Sequence, residues 1–169
     1  MDCGDFLGRV ALGEKAFPDI ELDGAELSGA DLRQIRLPGA RLTDVNFHGA
    51  NPALAYFSRA KLIRVRLSEA HLFRANFSAA YLSAADFCAA NLHAANFQGA
   101  NLSNAYLRAV HLTHADLSNA DLSGASLRGA HLTAANFRRA NLSGAELIEA
   151  ILTGTDFTGA NLQRVKWND

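Results

Sequence analysis

The sequence predicts an all-β fold, a four-sided β-solenoid with a five-residue repeat, and three observations support this. Stepping by five from Phe17 to Trp167 gives 31 sites, of which 30 hold Leu, Phe or Trp. The site two residues earlier is Ala in 23 of 30 cases and Ile, Val or Thr in the other seven. Six of the eight Phe at the large apolar sites are separated by multiples of 20 residues.

A period of five fits neither a helix nor a long strand. At 100° per residue each step of five drifts by about 140°, so no apolar stripe forms, and in a strand the next unit would face the opposite side. Within a unit, however, the Ala and the Leu share one face of extended chain, and three residues remain for a turn. Four such units close a coil of about 20 residues, which predicts about eight stacked coils.

The N-terminal segment, residues 1–16, lies outside the repeat. Phe6, Leu7 and Val10 fall on one face of a short helix, so we expect this segment to cap the open core of the first coil. A segment that binds a partner is the alternative. The predicted division is a cap segment at 1–16 and a repeat solenoid at 17–169.

Pro52 is the single exception among the 31 large apolar sites. It cannot donate a backbone hydrogen bond, so we expect a local bulge or kink there, with Leu54 turning inward as its replacement. A bend that shapes a recognition surface is the alternative. The five-residue spacing resumes at once with Ala55 and Phe57.

Units such as Ala-Asp-Leu-Ser-Gly at 120–124 and Ala-Asn-Leu-Ser-Gly at 140–144 match the A(D/N)LXX signature. Over residues 17–167 the chain therefore resembles the pentapeptide-repeat proteins. The resemblance implies their right-handed quadrilateral β-helix. It also offers one functional model, because the quinolone-resistance members (Qnr and MfpA type) mimic DNA and bind DNA gyrase.

The chain departs from the quinolone-resistance members in three ways. Its repeat register has no inserted loop, its outward positions carry few acids, and no C-terminal helix follows Trp167 to build their dimer. A mimic of DNA needs rows of negative charge. These departures rank the gyrase-binding mimic below a general scaffold.

Composition narrows the function classes further. The formal net charge of −1 and a pI of about 6.6 fit neither a basic nucleic-acid binder nor an acidic DNA mimic. Nucleic acid is therefore not an expected partner. Cys3 and Cys88 form no disulfide framework, which favours a reduced cytoplasmic setting. No signal peptide or membrane helix is predicted.

Positive charge concentrates in residues 31–74, which contain eight bases and three acids. Five of the bases map to two adjacent faces of the predicted coil and form a candidate surface for an acidic partner or phosphate. The alternative is a solvated face partly paired with Glu21. The five are Arg36, Arg41, Arg59, Lys61 and Arg64.

His71, His111 and His131 are separated by multiples of 20 and should share one outer column. A shared metal is the alternative, but no carboxylate joins this part of the column, so an exposed stack is expected. We predict no metal site, no cofactor and no catalytic residues, because no nucleophile–base constellation can be placed and a filled core leaves no pocket.

The predicted function is a non-catalytic scaffold that binds a protein the sequence does not identify. The alternative is the DNA-mimicking, gyrase-binding protein described above. We also expect a weak homodimer through the C-terminal coil, with Leu162 and Trp167 at the interface, because an open solenoid end is an edge that can pair.

Overall fold

The computed structural model describes residues 1–168 and consists of one short helix followed by a regular coil. Helix α1 spans Cys3–Ala11. After it, parallel β-bridges run from the Ala16–Arg36 pair to the Glu146–Lys166 pair, and each joins residues 20 apart. No helix among residues 1–168 has the length and apolarity needed to cross a bilayer.

The β structure consists of single-residue bridges, and within residues 1–168 no longer strand forms. The reason is local. Each five-residue unit spends two residues on a turn, so only one residue per unit pairs with both neighbouring coils. The all-β prediction is therefore realised as ladders of bridges along the axis, accompanied by one helix.

Unit 100–104 shows how every backbone N–H is satisfied. The N–H of Ala100 closes the preceding turn at 2.9 Å. The N–H groups of Asn101, Leu102 and Asn104 donate to carbonyls of the two neighbouring coils at 2.9, 2.6 and 2.9 Å. The N–H of Ser103 donates to the side-chain oxygen of Asn101 at 2.9 Å. No donor of this unit is lost, as buried backbone requires.

The bond from the Ser103 N–H to the Asn101 side chain explains why Asp or Asn is preferred before the large apolar residue. Its side chain accepts from the N–H two residues on, an Asx-type turn. Asn76, Asp86 and Asp121 repeat the contact at 2.9, 2.9 and 3.0 Å. The signature residue therefore supplies the one acceptor that the coil's backbone does not.

Each turn ends in a residue with positive φ. This residue is Gly in ten turns and another amino acid in twenty, from Asp19 to Arg164. Left-handed backbone disfavours residues with a Cβ, so the repeat tolerates a local cost of about 1 kcal/mol at many turns. The bonds between coils over-determine the conformation.

The core is a continuous column of apolar side chains from Phe6 to Leu147. As predicted, Phe57, Phe77 and Phe97 stack, with ring centroids 5.0 and 4.9 Å apart and planes within 7°. Phe87 meets both Phe77 and Phe97 edge-on at 5.8 Å. Offset and edge contacts of this kind add about 0.5–1.5 kcal/mol per pair to simple burial.

Helix α1 covers the first coil. The side chain of Asp2 accepts from the N–H of Asp5 at 2.8 Å and caps the helix N-terminus. On the inner face, Phe6 is fully buried and meets the ring of Phe17 edge-on at 4.9 Å. Val10 packs one turn further along the same face. The helix thus closes the N-terminal end of the core.

The bulge expected at Pro52 does not form. Pro52 keeps the inward, buried site, whereas Leu54, expected to turn inward, is 38% exposed. The turn keeps its usual bond, from the N–H of Ala55 to the Pro52 carbonyl at 3.1 Å. Only the bridge between Asn51 and His71 is missing from the regular series. Two coils hold the unit in place, so one lost donor does not displace it.

The inward Ala sites should not tolerate larger side chains. Ala95 is fully buried, so Ala95→Leu should lower the free energy of unfolding by about 1–3 kcal/mol. Ala94→Leu is a matched control, because Ala94 lies in the turn and Leu54 already occupies the equivalent turn position. Chemical denaturation measures both. Equal midpoints for the two variants would contradict the inward packing of Ala95.

Candidate interaction surface

The five predicted basic residues do not form one patch. Arg41 contacts Glu21 at 3.2 Å and Asp23 at 2.8 Å. Arg64 makes a two-pronged contact with Asp44, at 2.8 and 2.6 Å. Both arginines are therefore neutralised by acids of the preceding coil, as the alternative interpretation expected for Glu21.

The remaining three bases of the set lie apart from one another. Lys61 bridges to Arg41 on one face. Arg59 lines a shallow depression with Pro18, Asp19 and neighbouring turn residues. Arg36 lies beside Tyr56 on another face, with its guanidinium carbon 5.4 Å from the ring centroid. The five basic residues are therefore divided among several surfaces.

The depression at Arg36 brings together charges that the sequence did not group. Its volume is about 540 Å³, and Lys15 and Arg74 line it along with Arg36. Within residues 1–168, no carboxylate lies within 4 Å of any of these three cations. We call this site the basic depression; its other lining residues are Gln34, Leu54 and Tyr56.

The basic depression also has apolar and aromatic components. Leu54 is 38% and Tyr56 47% exposed, and Tyr56 is partly covered by the Arg36 guanidinium. Cations beside an exposed aromatic ring are typical of protein interfaces. An acidic segment of a polypeptide bound here would contact cationic side chains, the amide of Gln34 and apolar surface within one site.

Asp31 is a carboxylate that interacts electrostatically with Lys15 of the basic depression. Hydrogen bonds from the side chain and backbone N–H of Arg33 lower the pKa of Asp31 to about 2, and the charge of Lys15 adds a smaller effect. The Asp31–Arg33 contact, at 2.7 Å, leaves this carboxylate engaged locally. In the same way Arg64 lowers the pKa of Asp44.

Sequence reasoning missed Lys15 and Arg74 for identifiable reasons. Lys15 lies in the segment 1–16, which has no assigned place in the repeat. Arg74 is 20 residues after Leu54, so its position beside that residue could have been found from the spacing. The sequence pattern instead places Arg74 on a face other than those of the five bases, and it wrongly predicts an inward Leu54.

The predicted histidine column is confirmed, since bridges connect His71, Asn91, His111 and His131 in succession. The rings of His111 and His131 stack at 4.5 Å, whereas His71 is two coils away from His111. Among residues 1–168, no group of three His, Cys, Asp or Glu side chains is arranged to hold a metal ion.

Leu162 and Trp167 lie in the last coil described. They are 36% and 42% exposed, and the Trp167 ring meets Phe157 edge-on at 6.2 Å. Trp167 therefore covers the core only in part. Asn168 accepts from the N–H of Glu149 at 2.6 Å and satisfies one donor of this coil.

Comparison with known proteins agrees with this geometry. The family model for pentapeptide repeats matches eight copies, at residues 20–51, 53–87, 90–129 and 125–164. The chain belongs to the pentapeptide-repeat family. Pentapeptide-repeat proteins form right-handed β-helices, the fold class expected from the resemblance. No curated protein sequence is similar enough to match.

Several solved structures are similar to this pentapeptide-repeat protein. HetL, involved in heterocyst differentiation regulation in the cyanobacterium Nostoc sp. strain PCC 7120, is 32% identical over 98% of this chain and 94% of its own, with a TM-score of 0.49. A pentapeptide repeat protein of the Arabidopsis thaliana thylakoid lumen is 40% identical over 53% of this chain and 59% of its own, with a TM-score of 0.42.

QnrB1, a plasmid-mediated fluoroquinolone resistance protein, provides a structural match. A trypsin-treated variant is 23% identical over 91% of this chain and 82% of its own, with a TM-score of 0.70. At this identity the match supports the shared fold alone.

Proposed function

We propose that this pentapeptide-repeat protein is a non-catalytic scaffold that binds another protein through its outer faces. The filled core supports this, because the coil interior holds its own side chains and offers no space to a substrate. The basic depression, shallow and open, is the proposed docking point. Free thiols at Cys3 and Cys88 fit the cytoplasmic setting that we propose with it.

The observation that carries the proposal is the set of three cations that have no carboxylate within 4 Å among residues 1–168. Among residues 1–168, seven of the sixteen Lys and Arg side chains form ion pairs with carboxylates, as at Arg41 and Arg64. Lys15, Arg36 and Arg74 keep their charge available beside exposed Leu54 and Tyr56. We infer that an acidic segment of a protein partner docks there. A regulatory role, as described for HetL, is compatible with this mode of action.

Charge reversal at the basic depression should abolish partner binding. The test is affinity capture from a lysate of the source organism, read by mass spectrometry, with wild type and Arg36→Glu/Arg74→Glu. Because both side chains are exposed, the fold should be unchanged. We expect at least one protein to be captured by wild type and lost, by about tenfold or more, with the variant.

The matched control is Arg108→Glu/Arg128→Glu, the same charge change on coils further along the rod. This control should capture the partner as wild type does. Identical sets of captured proteins with all three baits would contradict docking at the basic depression. Capture of no protein by wild type would contradict the scaffold itself.

The gyrase-binding alternative is not favoured by the distribution of acids. Along the ladder that contains Glu21, the residues that follow at 20-residue steps are Arg41, Lys61, Tyr81 and Asn101. No ladder of bridged residues among residues 1–168 holds two acids in succession. The rows of charge that a phosphate mimic needs are therefore missing from these ladders.

We accordingly expect no inhibition of DNA gyrase. Micromolar protein should leave supercoiling, and its sensitivity to quinolones, unchanged in a purified gyrase assay. A known gyrase-binding pentapeptide-repeat protein serves as the positive control. Inhibition comparable to that control would reverse the order of the two proposals.

Self-association through the C-terminal coil stays a prediction and is offered as a second proposal for a partner. Leu162 and Trp167 are exposed apolar residues at that coil, as is Ile151. The contact would be about one cross-section of the rod, so dissociation at low micromolar concentration is expected. Sedimentation of wild type and Trp167→Asp over a concentration series measures it. A wild type that is monomeric throughout, or a variant that still dimerises, would exclude this interface.

A further inference from the structure

Five of the six histidines lie on one side of the rod. His71, His111 and His131 share a ladder, while His93 and His114 occupy the turn next to it. Contacts connect them: His93 meets His114 at 5.6 Å, and His111 stacks on His131 at 4.5 Å. We call these five residues the histidine face.

The histidine face continues the line of the basic depression. The Phe73 ring stacks on His93 at 5.6 Å, and the guanidinium carbon of Arg74 lies 6.0 Å from the Phe73 centroid. His71, His93 and His111 also line a depression with Asn91 and Thr113. The face is therefore a contiguous surface about four coils long, accessible to an extended chain.

Carboxylates are scarce on this side. At positions separated by multiples of 20 from residues 71, 73 and 74, the acids are Glu14 and Asp31. Both are engaged in ion pairs, with Arg9 and Arg33. From residue 32 to 168 these three columns contain no acid. The permanent charge of the face is that of Arg33, which is paired, and Arg74.

Charged groups on the flanking columns frame the face. On one side are Glu69 and Glu149 together with Arg108 and Arg128. On the other side are Arg36, Asp116 and Asp156, of which Asp156 contacts Arg138 at 3.3 Å. The two flanks therefore carry mixed charge, and neither supplies a row of acids facing the histidines.

Histidine is the side chain whose charge ordinarily changes between about pH 5 and 8, so a surface that groups five of them is suited to respond to pH. With all histidines neutral the chain has a formal net charge of −1, and protonation of all six would bring it to +5. Five of those six charges would appear on the histidine face. Two imidazolium charges at the 4.5 Å spacing of His111 and His131 repel each other, and a carboxylate bound beside them would remove that repulsion.

We propose that the histidine face binds an acidic polypeptide segment, and that this binding strengthens as the pH falls from about 7.5 to about 5.5. Aspartate and glutamate keep their charge in this range while histidine gains its own. Imidazolium N–H groups then donate to carboxylates in charge-assisted hydrogen bonds. Linkage fixes the direction: a ligand that prefers the protonated form takes up protons on binding, so its affinity rises with proton concentration.

Two other ligand classes fit the face less well. A metal site lacks a third ligand, since no suitable group of three exists among residues 1–168. Nucleic acid binding relies on clusters of Lys and Arg that stay charged at neutral pH, and this face has one unpaired arginine, Arg74. The histidine face adjoins the basic depression at Arg74, but none of its five histidines lines that depression, so the proposal does not depend on docking there.

The experiment uses the purified full chain and a rhodamine-labelled oligo-aspartate peptide of about twelve residues as the probe. Fluorescence anisotropy gives the Kd at about pH 7.5, 6.5 and 5.5, at a constant ionic strength of about 0.05 M. Uptake of about half a proton on average would make binding tighter by about tenfold between the ends of this range, and uptake of about one proton by about a hundredfold. The His111→Gln/His131→Gln variant should tighten by about threefold or less.

His48→Gln is the matched control, because His48 is the histidine that lies on another corner, where Nδ1 is 3.0 Å from the Ser68 hydroxyl. It should respond to pH as wild type does. A second variant, His71→Gln/His114→Gln, tests the same face independently, and a loss of pH response in either double variant supports the proposal. Circular dichroism verifies that each variant is folded.

Four outcomes would overturn the proposal. They are a wild-type affinity that does not change with pH, an equal pH response in wild type and both double variants, loss of binding on addition of EDTA, and equal or tighter binding of a labelled oligothymidylate of the same charge. The second outcome would mean that net charge alone drives binding. The third and fourth would assign the face to a metal or to single-stranded nucleic acid.

Discussion

The fixed spacing of 20 residues between hydrogen-bonded neighbours is the constraint on which the whole molecule depends. Every described bridge obeys it, from the Ala16–Arg36 pair onward. Because it never slips, each side chain lies directly above the one 20 positions before it. The Phe stack inside the coil and the histidine face outside it are two results of the same register.

The 20-residue register requires an unfavourable backbone conformation at many turns, and the repeated contacts between coils stabilise it. Twenty turns place a residue with a Cβ at positive φ, which few folds tolerate so often. The compensation is the complete hydrogen bonding seen in unit 100–104, together with a dense apolar core. Pro52 shows how robust the arrangement is, since removal of one donor costs a bridge but leaves the inward packing unchanged. Any binding function must therefore depend on the side chains at the outward positions.

The sequence was informative about the interior and less so about the surface. Large and small apolar positions are set by backbone geometry, so the Phe57–Phe77–Phe97 stack could be predicted. Leu54 could not, because a proline at an inward site made a bulge seem necessary, and only the three-dimensional support of two coils prevents it. The basic residues were grouped by the faces of the predicted coil, whereas ion pairing with the preceding coil neutralises two of them, Arg41 and Arg64.

Three of the eight ion pairs among residues 1–168 connect the surface to the register, because they join residues 20 apart. Arg64 lies 20 residues after Asp44, and Lys166 lies 20 after Glu146; both are neutralised. Arg36 and Arg74 have Tyr56 and Leu54 as their neighbours at that spacing, and no acid. Neutralisation by the residue one coil away is therefore not open to Arg36 and Arg74. The histidine face meets the same condition across several coils, so both proposed surfaces arise from what the register leaves unpaired.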